Sequence, residues 1–198
     1  MENLREKEDN LSWKAVKTEH LVQDEYIDFR RVDYELPDGT VFGPFYNYSR
    51  RNYVVIAASD PEGNFLCVRQ FRHGIGRVTT EFPAGGIERS DGKEYEQGGA
   101  VPSMETALAT AKRELMEETG CESDDWTHLI TIPSNATLAD NYAFLFQAKN
   151  CRRTGSQNLD DTEFLNVVKH TPEQIEELIK SGQFPQAIHV LAYQMMKS

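Results

Sequence analysis

Basic residues are scarce: 21 Lys and Arg stand against 32 Asp and Glu, a net charge of -11 over 198 residues. Nucleic-acid affinity rests largely on a basic surface that displaces counterions, so this balance argues against a general polyanion binder. A small phosphorylated ligand, held by one or two local arginines and a divalent cation, stays compatible with it. Cysteine is scarce too. Cys67, Cys121 and Cys151 form no CxxC pair, which argues against a disulfide framework or zinc site and suits a reducing compartment. No run approaches the roughly 18 apolar residues that span a bilayer. The opening "MENLREKEDNLSW" is charged where a secretory signal is apolar. The expectation is a cytoplasmic protein with no membrane or nucleic-acid partner. Internal repeats and sustained heptads are absent, and His73, His170 and His189 lack ligand-like spacing.

A hydrophobic fraction of 39%, with ten Phe and eight Tyr, indicates a folded core. From Trp13 to Phe71 the chain reads as strands. "EYIDFRRVDYEL" alternates, "LPDGTVF" supplies a hairpin turn, "YVVIAA" (Tyr53 to Ala58) is a buried strand and "FLCVRQF" follows. A turn is expected at Pro83 to Gly86, then a polar surface loop to Pro102. Ser103 caps a helix over "METALATAKRELMEET", with Met104, Ala107, Leu108, Ala111 and Leu115 facing inward and Gly120 as its stop. Strands at "WTHLITI", "YAFLFQA" and "EFLNVVKH" lead to a helix opened by Thr171 and Pro172, with Gln174 completing a capping box. A last helix is expected over Phe184 to Met196, burying Phe184, Ile188, Leu191 and Met195.

Within "KRELMEETG", Glu114, Glu117 and Glu118 fall three and four residues apart, so their side chains can converge on one side of the helix. Like charges at that spacing repel. A hard divalent cation removes the conflict, since magnesium takes carboxylate oxygens together with water and substrate phosphate. Glutamate is also a good surface-helix residue, and Arg113 to Glu117 can be an ordinary pair one turn apart, so composition leaves both readings open.

The longer pattern decides between them. Gly99, Glu105, Arg113, Glu114, Leu115, Glu117, Glu118 and Gly120, with Cys121 in the last apolar place, follow the spacing of the Nudix box. The chain thereby resembles the Nudix hydrolase superfamily. "VRQFRHGIGRVTTEFPAGG" is similar to the segment before the box in ADP-ribose and nucleoside-diphosphate-sugar pyrophosphatases, and "TEFLNVVKHTPEQIEELIKSGQFPQAIHVLAY" to their closing strand and helices. The resemblance implies an α/β/α sandwich with a mixed sheet, formed by residues 51–198, preceded by a dimerising β-rich extension over residues 1–50. It implies hydrolysis of a pyrophosphate bond in a nucleoside diphosphate sugar by a homodimer. Nucleoside triphosphates and dinucleotides are the alternative substrates, and a nucleotide-sugar-sensing module without turnover is the alternative class.

Carried over residue by residue, the resemblance assigns Glu114, Glu118 and Glu117, with the Ala84 carbonyl, to magnesium or manganese. Arg113 orients these glutamates, and Glu163 is the general base, with Asp160 and Asp161 as neighbours. Arg72 would fork onto phosphate, Glu81 would contact the terminal sugar or the metal network, and Asp140 would touch substrate. Glu105 suits either a site-organising role or simple stabilisation of the helix start. Trp13, Tyr26, Phe29, Tyr46 and Tyr48 are candidate base-stacking residues. Two departures stand out. Gly85 lies fourteen residues before Gly99, which implies an outward bulge over Arg89 to Pro102, and "SNATLAD" occupies the place of the subfamily proline after the box.

Overall fold

The computed structural model describes residues 11–24, 26–88, 101–159 and 164–197. Three strands come first: β1 (Lys14–Gln23), β2 (Asp28–Glu35) and β3 (Val41–Ser49), which form an antiparallel sheet in the order β1-β2-β3. Next come β4 (Tyr53–Ala58), β5 (Phe65–Arg72), β6 (Arg77–Glu81) and β7 (Ala84–Gly86), then helix α1 (Met104–Thr119). The chain continues through β8 (Cys121–Glu122), β9 (Asp125–Pro133), β10 (Tyr142–Lys149), β11 (Arg152–Arg153) and β12 (Leu165–His170). It closes with helices α2 (Pro172–Lys180) and α3 (Ala187–Met195).

The central sheet runs β7-β4-β10-β9, with β10 parallel to β4 and the outer pairs antiparallel. Strand β4 shows why this is a sandwich. Val54, Ile56 and Ala58 pack with Ala107, Ala111 and Leu115 of α1, whereas Val55 and Ala57 pack with Ile175, Ala192 and Tyr193 of α2 and α3. Successive side chains of a strand point to opposite faces. A strand covered on both faces therefore reads as one unbroken apolar run, as "YVVIAA" does. Burial of each large aliphatic here contributes about 2 kcal/mol. A second sheet, β12-β5-β6, packs beside the first.

The helix signals hold. Ser103 accepts a hydrogen bond from the Thr106 amide at 3.1 Å, and Thr171 and Gln174 form the capping box. Two expectations need correcting. Pro83 to Gly86 is no simple turn, because Ala84–Gly86 pairs with Val55, Val54 and Tyr53 as an edge strand. In α3 the buried face is His189, Ala192 and Tyr193. Phe184 is buried but precedes the helix, and Ile188, Leu191 and Met195 are half-buried. Ile188 and Leu191 do pack against the core, as the apolar pattern expects, and the polar His189 is buried beside them.

The N-terminal sheet is tied to the sandwich by buried polar groups. The Arg30 guanidinium donates to Asp28 at 2.9 Å, to Ser49 Oγ at 2.8 Å and to Asp140 at 3.1 Å. Ser49 also donates to Asp140 at 2.6 Å. At the far edge, β1 is exposed along its whole length, with Trp13, Val16, Leu21 and Val22 among its open apolar residues and their neighbours.

Candidate active site

Helix α1 delivers the acidic cluster to the edge of the central sheet. Its Ala107, Ala111 and Leu115 stripe is fully buried, and Glu114 and Glu118 follow the same side into the interior, 6% and 2% exposed. Gly120 ends the helix at φ 69, a left-handed conformation that costs glycine little. A side chain there would also meet the Gly155 carbonyl oxygen at 2.6 Å. The returning chain caps the helix end: Thr154 and Gly155 amides donate to the Gly120 carbonyl, and Gln157 Nε2 donates to that of Glu118 at 2.6 Å.

Strand β7 lies against these carboxylates. The Ala84 amide donates to Glu118 Oε2 at 3.1 Å. Gly85 forms a cradle for Glu114, since a Cβ at Gly85 would sit 1.9 Å from the Glu114 carboxyl carbon. Arg113 forks between Glu114 Oε1, at 2.6 Å, and Glu117 Oε2. Burial disfavours the Arg113 charge, but Glu114 and Glu117 outweigh it and push the guanidinium pKa up. With Glu114 and Glu117 turned to Arg113, no three acidic, His or Cys side chains converge in ligating geometry among the described residues. The donors still fit a hard cation: two buried carboxylates, the half-exposed Glu117 and the neighbouring Ala84 carbonyl are all oxygen ligands. These residues would hold a hard divalent cation, which when bound would acidify water and offset anionic charge.

Arg72 and Glu81 meet each other. Arg72 donates from Nε and Nη2 to the two Glu81 oxygens at 2.8 and 3.0 Å, and Thr79 adds a hydroxyl donor to the fully buried Glu81. Arg72 also lines a cavity of about 650 Å³ that shares Ala84 and Gly85 with the carboxylate site and extends to Gly86. Asp140 lies apart from that lining, its carboxylate engaged by Arg30 and Ser49. Glu163, Asp160, Asp161, Gly99 and most of the expected bulge lie outside the described residues. Among the aromatic candidates only Tyr48 lines this cavity. Trp13 packs on Tyr34 and Phe45, and Phe29 stacks on Tyr46.

The cavity also contains residues that sequence reasoning passed over. Arg50 and Arg51 line it, and Arg51 lies across Gly86, where a Cβ would approach its Cδ to 3.1 Å. Their signal was the "SRRNY" doublet before a buried strand, unusual in an acidic chain. His189 is present too, 4% exposed, accepting the Phe82 amide on Nδ1 at 3.1 Å. Burial drives its pKa down to about 4, with Glu81 opposing and Arg72 adding to the shift.

Acidic helix, glycine cradle and adjoining cationic cavity coincide with a known family: residues 49–190 match the NUDIX domain. The chain belongs to the NUDIX family. This Nudix hydrolase is 29% identical over 196 residues to an ADP-ribose pyrophosphatase of Bacillus subtilis (strain 168), covering 95% of this chain and 94% of that protein. It is 26% identical over 191 residues to a methanol dehydrogenase activator of Bacillus methanolicus, covering 93% and 92%. The crystal structure of an ADP compounds hydrolase shares the fold, with a TM-score of 0.73 at 19% identity over 93% of this chain and 92% of that one. In this Nudix chain the box helix, Met104–Thr119, lies well inside the matched region.

Proposed function

We propose that this Nudix hydrolase cleaves the pyrophosphate bond of ADP-ribose or a related nucleoside diphosphate sugar, with magnesium or manganese, yielding nucleoside monophosphate and sugar phosphate. One observation carries the reading. A buried glutamate pair and an arginine-lined cavity share Ala84 and Gly85 of β7, so metal-binding and anion-binding groups meet at one strand. The full-length similarity to an ADP-ribose pyrophosphatase supports the choice of substrate class. Arg72, with Nη1 left over from its Glu81 fork, is the phosphate contact, and Glu81 positions it. Glu163 is the general base, and Asp140 acts on substrate through the loop it anchors to Arg30.

The working unit is a homodimer formed through the N-terminal sheet. Support comes from edge strand β1, whose outer backbone has no strand partner among the described residues and whose exposed Val16 and Val22, with Trp13 beside them, suit burial against a second copy. A cytoplasmic location suits the three buried, free thiols.

The decisive assay is a panel of ADP-ribose, GDP-mannose, UDP-glucose, NADH, diadenosine polyphosphates and nucleoside triphosphates, each with magnesium and with chelator, with products identified. Metal-dependent release of AMP and ribose 5-phosphate from ADP-ribose is the expected result. Turnover confined to triphosphates or dinucleotides would replace the substrate class, and no turnover on any compound would sink the enzymatic reading. Light scattering of the full chain tests the dimer, and a monomeric mass at micromolar concentration rejects it.

A further inference from the structure

The cavity beside β7 is a cationic concavity in an acidic protein. Arg50, Arg51 and Arg72 line it, and its lining holds no Asp or Glu among the described residues, in a chain of net charge -11. Arg50 makes no ion pair among the described residues. Arg72 is neutralised by Glu81 on one edge only, its Nη1 taking no part in the fork.

A second set of donors meets these charges at one corner. Helix α3 opens onto the cavity: Ala187, Ile188 and His189, its first turn, all belong to the lining. The first amides of a helix have no intrahelical acceptor, and here the N-cap Gln186 supplies no side-chain hydrogen bond. Such an end attracts anions. His189 adds a donor of another kind. The Phe82 amide donates to Nδ1, so the ring proton resides on Nε2, and Nε2–H has no partner among the described residues. The ring is 4% exposed, held between Phe82 and Phe184, and the cavity is the space it borders. Its low pKa, about 4, keeps it an uncharged donor at neutral pH.

We propose that this corner is a phosphoryl subsite, in which the first-turn amides of α3, His189 Nε2–H, Arg50 and Arg72 Nη1 hold the oxygens of a phosphate group. The phosphate is one belonging to the substrate's diphosphate; that source rests on the proposed hydrolysis, whereas the subsite does not. His189 here is a binding residue on the side of β7 away from the box glutamates. It is a neutral donor whose tautomer is set by the chain that carries Glu81 into Pro83.

The test uses the full chain in chelator, followed by nitrogen-edited NMR of the histidine side chains. Inorganic phosphate is expected to shift the His189 Nε2–H signal, and ADP-ribose to displace it. Gln186→Glu places a carboxylate in the corner while remaining compatible with the helix dipole, so the fold should persist as phosphate affinity drops at least tenfold. His189→Gln, whose amide nitrogen can replace Nε2–H, should retain most affinity, and His189→Asn should lose it. A bound phosphate that ADP-ribose fails to displace overturns the substrate assignment and makes this a free-phosphate site. No His189 response to phosphate, or unchanged affinity in folded Gln186→Glu, overturns the subsite. Phosphate binding at His189 without hydrolysis of any nucleotide sugar would sink the proposed activity and leave the subsite standing.

Discussion

The two faces of β7 carry opposite charge. Toward α1 the strand touches Glu118 through the Ala84 amide and Glu114 through Gly85. Toward the cavity it lies beneath Arg51 at Gly86. Strand geometry turns adjacent residues to opposite faces, so neighbouring glycines serve opposite sites. A backbone without side chains is a thin partition: it lets carboxylates and guanidinium groups come close on either side of one peptide. The glycines differ in what they would tolerate, and that difference can be measured.

Gly85→Ala should have the largest effect. Its methyl would overlap the buried Glu114 carboxylate and force it from its present position, so we expect loss of nearly all metal-dependent turnover. Overpacking there should also cost about 1–3 kcal/mol of stability by denaturant titration. Gly86→Ala meets only the Arg51 side chain among its nearest neighbours, most tightly the flexible Cδ at 3.1 Å, so it should fold normally and keep most of its rate. Equal damage from both substitutions would break the comparison.

Glu118→Gln should come next. The amide oxygen can still accept the Ala84 N–H, so the melting temperature should hold while kcat falls by about 100-fold or more, a ligand's loss exceeding that of an orienting partner. Retained turnover would remove Glu118 from the metal site. Arg113→Gln should cost less, about 10- to 100-fold, because it frees Glu114 and Glu117 from their shared fork without removing an oxygen donor. Titrating magnesium separates the two variants: Arg113→Gln should be partly recovered at high metal, and Glu118→Gln should not.

The acidic face of this comparison was legible in the sequence, and the cationic face was not. Glu114, Glu117 and Glu118 sit on one helix, where spacing along the chain is spacing in space, and Ser103 and Gly120 mark that helix's ends. "YVVIAA" likewise announced a strand buried on both faces. The cavity draws on residues 50, 51, 72 and 186 to 189, from segments more than a hundred positions apart, and no periodicity links them. His189 was hidden because the apolar stripe, which rightly placed Ile188 against the core, gives no sign that the polar residue beside it is buried as well. The pairing of Arg30 with Asp140 spans 110 positions and is equally silent in sequence. Edge strand β7 was missed because three small residues after a proline look like a turn until β4 is placed beside them.

The smallest effect at neutral pH belongs to the buried imidazole, which probes the cationic face alone. An unfolded chain protonates His189 near 6.5, whereas the folded protein takes that proton only near 4, because burial opposes the charge. Between those values the unfolded state binds more protons, so folding stability falls as pH falls. Above 6.5 the contribution is fully present. The gap corresponds to about 3 kcal/mol. Glutamine at position 189 has no proton to gain, so the stability deficit of His189→Gln relative to the parent should shrink by about that amount between pH 7.5 and pH 4.5, measured by urea midpoints. Carboxylates elsewhere titrate in both proteins and cancel in the difference. A deficit that stays constant with pH would mean the ring is solvated or charged in the folded state. The Phe82 amide would then no longer fix its tautomer, and the contrast between the two faces of β7 would rest on the arginines alone.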